Sequence, residues 1–304
     1  MPEVFDSDHM NTSNWKDVKQ LLELIQHSGY ILGLNNKDWI NTTLTNINKL
    51  EPKLKDRFFN IFDTLKDRKR IVGHPKSSIN PVNENDWLLI AEELNAIRAF
   101  YAILATETSG KNILNMEQLE DMNISEKFGL TGSMHYLKTE DELEKIFLPL
   151  LSYAKKVTII DPYFNISSKR YQDTIKYIAK AFMERRGNKG NGSIIIHCSS
   201  KILDNVNFGS WQNSIKSIFK EFGHIITINV WDRRTDSIKL HERYILTDQG
   251  GIVSGAGTDK DDYQQSEWTI KDYNGRIEIL NQYIEGADVY DLKYIITGSS
   301  VIEK

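Results

Sequence analysis

Three residues in one short stretch have the chemistry to handle a phosphate: His241, Arg243 and Asp248, spaced H-x-R-x4-D within KLHERYILTDQGGIVSGAGTDKDDYQQSEW (239 to 268). Lys239 to Thr247 is an apolar-rich run. Asp248-Gln249-Gly250-Gly251 is turn chemistry, and Ile252-Val253 resumes a strand, so the pattern predicts a β-hairpin. Side chains alternate along a strand, which puts His241, Arg243 and Ile245 on one face and Glu242 and Tyr244 on the other. A guanidinium there neutralises phosphate oxygens, and a neutral imidazole beside it can attack phosphorus.

The stretch resembles the H-x-K-x4-D motif of the phospholipase D superfamily, with arginine in the lysine position. Six residues beyond Asp248, Gly255 matches the glycine that follows that motif, while Ala256 and Thr258 stand where the family has serine and asparagine. Ser266-Glu267 occupies the place of a Ser-Glu pair in the single-motif nucleases of the superfamily. The strand and turn Val157 to Phe164, reading VTIIDPYF, resemble those that open many such domains. The hairpin and the DPY turn are equally similar to the phospholipase-D-like domain at the C-terminus of MIT-domain (microtubule interacting and trafficking) proteins, a branch associated with binding rather than cutting.

What the resemblance implies is specific. One motif per chain implies a homodimer in which two His241 rings meet, one as nucleophile and its mate as general acid. Glu267 would hold the far nitrogen of the imidazole, Arg243 would grip non-bridging oxygens, and Asp248 would orient the motif. Gly255 and Thr258 would border the phosphate. No metal or other cofactor is called for, and no tight His/Cys ligand spacing suggests one. The expected activity is that of a metal-independent phosphodiesterase, a nuclease acting on DNA or RNA through a phosphohistidine. The alternative is an inactive module that binds anionic lipid, nucleic acid or a protein. Three departures favour the alternative: the planar fork of Arg243 in place of a point charge, the missing hydroxyl at Ala256, and the missing amide at Thr258. Asp259, Asp261 and Asp262 are expected to repel a polyanion.

Composition narrows the setting. With 40% hydrophobic and 26% charged residues the chain reads as a globular protein, and a net charge of −4 argues against a generally basic coat. Cys198 is the one cysteine, so no internal disulfide can form and a reducing cytoplasm is expected. The start MPEVFDSDHM has no apolar core of a secretory signal, and no apolar run is long enough to span a bilayer. Charge is uneven, however. Residues 151 to 220 hold twelve basic residues against Asp161, Asp173, Glu184 and Asp204, an excess of eight that would draw a polyanion. Lys176, Lys180 and Arg185 are its candidate contacts. The same lysines also suit the wet faces of amphipathic helices.

The elements that must position these residues follow from periodicity. Residues 1 to 107 read as a helical domain: Trp15 to Ile31, then Asp38 to Leu65 with a break at Pro52, then a helix from Trp87 to near Thr106. A basic cluster of Arg57, Lys66, Arg68, Lys69 and Arg70 reads as a solvated face, and His74 as a loop residue. This half shows no catalytic constellation and is expected to recruit a partner or bind a regulator. Residues 108 to 132 read as a connector with a short helix around Met116 to Met122. From 133 to 304 strands and helices alternate, predicting a mixed α/β sheet with helices on both faces. A capping box, Thr139-Glu140-Asp141-Glu142, opens a helix there. Functional groups gather beyond strand ends in such sheets. Asp161 at the end of the first strand fits either a substrate contact or a turn cap before Pro162, and His197 fits either a catalyst or a satisfied interior histidine.

Overall fold

In a computed structural model the chain divides into two compact units, Met1–Gly132 and Ser133–Lys304. The structure describes residues 2–5, 15–28, 30–33, 41, 44–73, 87–97, 100, 102–105, 113–115, 118, 133–151, 153–185, 192–202, 208–218, 220, 223–234 and 241–304.

The first unit corrects the expectation of a helical domain. Its helices α1 (Trp15–Ser28), α2 (Pro52–Asp67) and α3 (Trp87–Ile97) alternate with strands β1 (Pro2–Phe5), β2 (Tyr30–Gly33), β3 (Ile71–Gly73), β4 (Ala102–Leu104) and β5 (Ile113–Leu114). These form one parallel sheet in the order β3-β2-β1-β4-β5. Strands of two to four residues are too short for an alternation to show, so Ile31 and Ala102–Leu104 merged with the helical runs next to them. Pro52 does open a helix, at the first position, where its missing N–H costs nothing. Leu22, Ile25, Phe58, Phe62 and Leu65 close a core over Ile31 and Ala102. Ile113–Leu114 belongs to this sheet rather than to a connector. Apart from Gln118, the expected helix at 116 to 122 lies outside the described residues, as do His74 and Arg186.

The second unit is built on a nine-stranded mixed sheet. Its strands are β6 (Ser133–Lys138), β7 (Lys156–Ile160), β8 (Ser193–Ser199), β9 (Ile226–Arg233), β10 (Tyr244–Thr247), β11 (Gly251–Ser254), β12 (Asp261–Lys271), β13 (Tyr290–Thr297) and β14 (Val301–Glu303). They lie in the order β14-β13-β9-β8-β7-β10-β11-β12-β6. The β7–β8 and β8–β9 pairs are parallel and the rest antiparallel. Between them run α4 (Glu140–Leu151), α5 (Lys169–Arg185), α6 (Phe208–Ile218) and α7 (Tyr273–Asn281). Thr139 begins α4 as the capping box predicts, its hydroxyl accepting from the Glu142 N–H at 3.4 Å.

Strand alternation separates the faces cleanly. Val157, Ile159, Ile245 and Trp268 point into a core with Phe147 of α4, Phe182 of α5 and Trp211 of α6. Ile160, Leu246 and Trp231 point the other way, against Ile279 of α7, Tyr283 and Tyr290. Helices therefore cover both faces of the sheet. Two strands were not legible as such: β12, whose polar run Asp261 to Gln265 carries a register shift, and β14, the three-residue strand at the sheet's edge beside β13.

Candidate functional site

The antiparallel register places Arg243 beside Asp161, because Tyr244 pairs with Ile160 and the next residues outward face each other. The hairpin strand is shorter than the sequence suggests: β10 starts at Tyr244, and His241 and Arg243 precede it. Arg243 continues the pairing all the same, its carbonyl accepting from the Ser254 N–H at 2.9 Å. Its guanidinium is engaged on three sides. Nη1 donates to the Gly255 carbonyl at 3.0 Å, Nε lies 3.9 Å from Asp161 Oδ1, and the group sits 4.9 Å from the Tyr163 ring centroid.

Asp161 is fully buried at the end of β7. Its Oδ1 accepts the Tyr163 N–H at 3.0 Å. Its Oδ2 accepts the Thr258 N–H at 3.1 Å and the Thr258 hydroxyl at 2.8 Å, with Tyr171 Oη at 3.4 Å. A buried carboxylate demands such donors. Of the two readings of Asp161 the turn cap is the one these contacts fit. The carboxylate caps the Pro162 turn and also anchors the Gly255–Lys260 segment, leaving little acceptor capacity for a ligand. Burial, followed by the charges of Asp161 and Asp259, pushes the Tyr171 phenol well above its ordinary pKa.

A second anchor comes from a residue that periodicity alone would leave in solvent. Lys138, fully buried at the end of β6, donates to Asp259 Oδ1 at 2.8 Å, Gln264 Oε1 at 2.8 Å and the Ala256 carbonyl at 3.1 Å. All three ammonium protons are used. Arg170 of α5 adds Nε at 3.4 Å from Asp259 Oδ2 and Nη1 at 2.7 Å from Asp261 Oδ2. The carboxylates of Asp259 and Asp261 are thus paired with cations, which corrects their reading as free repulsive charges; Asp262, more than half exposed, has Lys260 Nζ at 3.9 Å. Gly257 turns the segment at φ 98°, and a Cβ there would lie 2.8 Å from Asp259 Oδ1, so a glycine is required. Ser254 Oγ donates to the Gly257 carbonyl at 2.6 Å, and Ser266 Oγ accepts the Ala256 N–H at 3.2 Å. Strand order alone could not reveal Lys138, because its partners lie more than a hundred residues away.

The remaining motif residues do not converge. His241 is exposed, with Nδ1 3.4 Å from Glu242 Oε1. Ser254 pairs with Trp268, and the Gly255 N–H donates to the Glu267 carbonyl at 2.9 Å. Trp268 and Arg243 share the α4–α6 face, so Glu267, one residue along, stands on the α7 face. Among the described residues no hydrogen bond or ion pair joins Glu267 to His241. Asp248 sits at the far end of β10, where Oδ1 accepts the N–H groups of Lys155 at 2.7 Å and Lys156 at 3.3 Å and ties the turn to the start of β7. Lys176 and Lys180 lie one turn apart on α5, but Arg185, nine residues beyond Lys176, comes about 180° around the helix.

His197 proves to be an interior histidine. Its Nδ1 accepts Trp231 Nε1–H at 2.8 Å, and its ring lies 4.9 Å from that of Tyr283. Burial, then the charge of Lys156, lowers its pKa to about 3. Burial raises the Cys198 thiol, with Asp161 adding to it. No group of three or more His, Cys, Asp or Glu among the described residues could hold a metal ion. No helix among them is long and apolar enough to cross a membrane.

No family model matches this chain, and no curated protein does. Among solved structures it matches TrmBL2, described as an archaeal chromatin protein with a novel mode of DNA binding. The match has 14% identity and a TM-score of 0.29, covering 89% of this chain and 99% of that one. At that score the likeness carries no statement about fold or function. What the geometry itself defines is a two-unit α/β protein whose second sheet ends in a closed, internally neutralised polar cluster.

Proposed function

We propose that the second unit is a nucleic-acid-binding module on a phospholipase-D-like scaffold, and that it holds its ligand without cutting it. The observation that carries this reading is the engagement of Arg243. A phosphohistidine relay needs that guanidinium open to a phosphate and the imidazole steadied by a carboxylate. Here Asp161, the Gly255 carbonyl and Tyr163 surround the guanidinium, Thr258 spends its hydroxyl on Asp161, and Glu267 stands on the opposite face. A binder has no need of paired imidazoles, so this reading does not depend on a homodimer.

Charge supports nucleic acid as the ligand class. Lys180, Lys201, Lys216 and Lys220 are exposed and Lys176 is partly so. Of the acids nearby, Asp161 is buried and Asp173 pairs with Lys169 at 2.9 Å. Lysines that neutralise phosphates release counterions, which makes affinity fall with salt.

The test is anisotropy with labelled DNA and RNA across a salt series, beside incubation of the same strands in EDTA. The expected result is intact strands and binding whose logarithm falls linearly with log salt, weakened for every sequence by the Lys176→Glu/Lys180→Glu double variant. EDTA-resistant cleavage that disappears in His241→Ala would overturn the reading. So would capture of anionic vesicles with no binding to either nucleic acid.

A further inference from the structure

Resting on that reading, we infer that Tyr163 is a stacking platform for an unpaired base, which makes single-stranded nucleic acid the preferred ligand. Tyr163 is one of the few large aromatic side chains the second unit leaves open, at 47% exposure. Its backbone is held on every side. The Tyr163 N–H donates to Asp161 Oδ1 at 3.0 Å, the Phe164 N–H to the Asp161 carbonyl at 3.1 Å, and the Pro162 carbonyl accepts the Ser199 N–H at 3.3 Å. Phe164, immediately after it, is fully buried. The ring therefore stands on a turn that cannot swing away.

The Arg243 guanidinium, itself fixed by the Gly255 carbonyl, lies against this ring at 4.9 Å. It covers part of the ring and leaves the rest to solvent. A base laid on the open surface would add to an Arg–Tyr contact already in place, on a backbone that needs no ordering on binding. Every base presents a π-face, so such a platform accepts any sequence. A duplex keeps its bases paired and stacked on each other, and gains nothing from the ring. Arg243 thus keeps a function that its buried contacts would otherwise end: it braces the platform rather than gripping a phosphate.

The experiment compares a single strand with its duplex by anisotropy at fixed salt, using wild type, Tyr163→Phe, Tyr163→Leu and Tyr163→Ala. Tyr263→Ala is the control, an aromatic at 98% exposure preceded by Asp261 and Asp262. Loss of one stacked base weakens binding by about tenfold. The expected result is a loss of that size for Tyr163→Leu and Tyr163→Ala on the single strand only, retention in Tyr163→Phe, an unchanged salt slope, and no effect of Tyr263→Ala. Wild type that binds, joined with Tyr163→Leu that binds both forms equally well or loses both equally, overturns the platform and leaves the binding module standing. Wild type that binds neither form overturns the binding module itself.

Discussion

Replacing Lys138 with methionine removes the cation that holds Asp259 and Gln264, while keeping an unbranched side chain of similar length. The ammonium is fully buried and makes two bonds of 2.8 Å and one of 3.1 Å. In its absence Asp259, 8% exposed at the side chain, keeps only Arg170 Nε at 3.4 Å. Breaking one side of a buried pair costs about 3–5 kcal/mol, because the surviving charge is stranded. Arg170 offsets part of that, so about 3 kcal/mol is expected for Lys138→Met. A unit the size of Ser133–Lys304 shifts by roughly 2–4 °C per kcal/mol, giving a fall in midpoint of about 6–12 °C. Removing the stranded charge as well should recover stability, so Lys138→Met/Asp259→Leu should lie above Lys138→Met alone. Urea and thermal unfolding followed by tryptophan fluorescence read this, with Trp211, Trp231 and Trp268 all buried in the second unit. Hydrogen exchange at β6 and β12 locates the loss. A destabilisation under about 1 kcal/mol, or a double variant no better than Lys138→Met, refutes the pairing.

Other perturbations test the remaining contacts. His197 is buried neutral with a pKa near 3, below the 6.5 of the unfolded chain. Between those values the unfolded state binds the extra proton, so stability is full above pH 6.5 and falls as pH drops toward 3. From pH 6.5 to 5 this amounts to about 2 kcal/mol, and His197→Gln should flatten that limb of the stability–pH curve by close to one proton. Gly257→Ala forces φ 98° on a residue with a Cβ and drives it to 2.8 Å from Asp259 Oδ1. It should cost about 1–3 kcal/mol, measured by chemical denaturation. Thr258→Val and Asp161→Asn act on one hydrogen bond of 2.8 Å. A double-mutant cycle should give a coupling of about 0.5–3 kcal/mol, and additivity would show that the bond contributes nothing. His241→Ala touches an exposed ring and should change stability by less than about 0.5 kcal/mol.

Much of the second unit was legible because its elements repeat at the right periods. The run VTII became β7, the turn residues after Thr247 became the β10–β11 hairpin, and Thr139 capped α4 where the box predicts. The first unit was not legible as a sheet. Strands such as Ala102–Leu104 are shorter than one helical turn, and only their pairing with β1 and β5 distinguishes them from the helix before them. β12 was hidden for another reason: its register shift breaks the alternation between Asp261 and Gln265.

At the site the division falls between composition and parity. The sequence by itself determined which groups are present: a histidine and an arginine two residues apart, a turn carboxylate at Asp248, a glycine-rich return, and acids at 161, 259 and 267. It could not determine which carboxylate meets which cation, since that depends on the face each residue takes once strands are in register. Tertiary pairing put Asp161 beside Arg243 and turned Glu267 to the far side, one residue from Trp268. It also brought Lys138 across the sheet to Asp259. Partners so distant along the chain are chosen by burial: inside the sheet's end a charge must find donors or an opposite charge, and there Lys138 meets Asp259 while Thr258 and Arg243 meet Asp161.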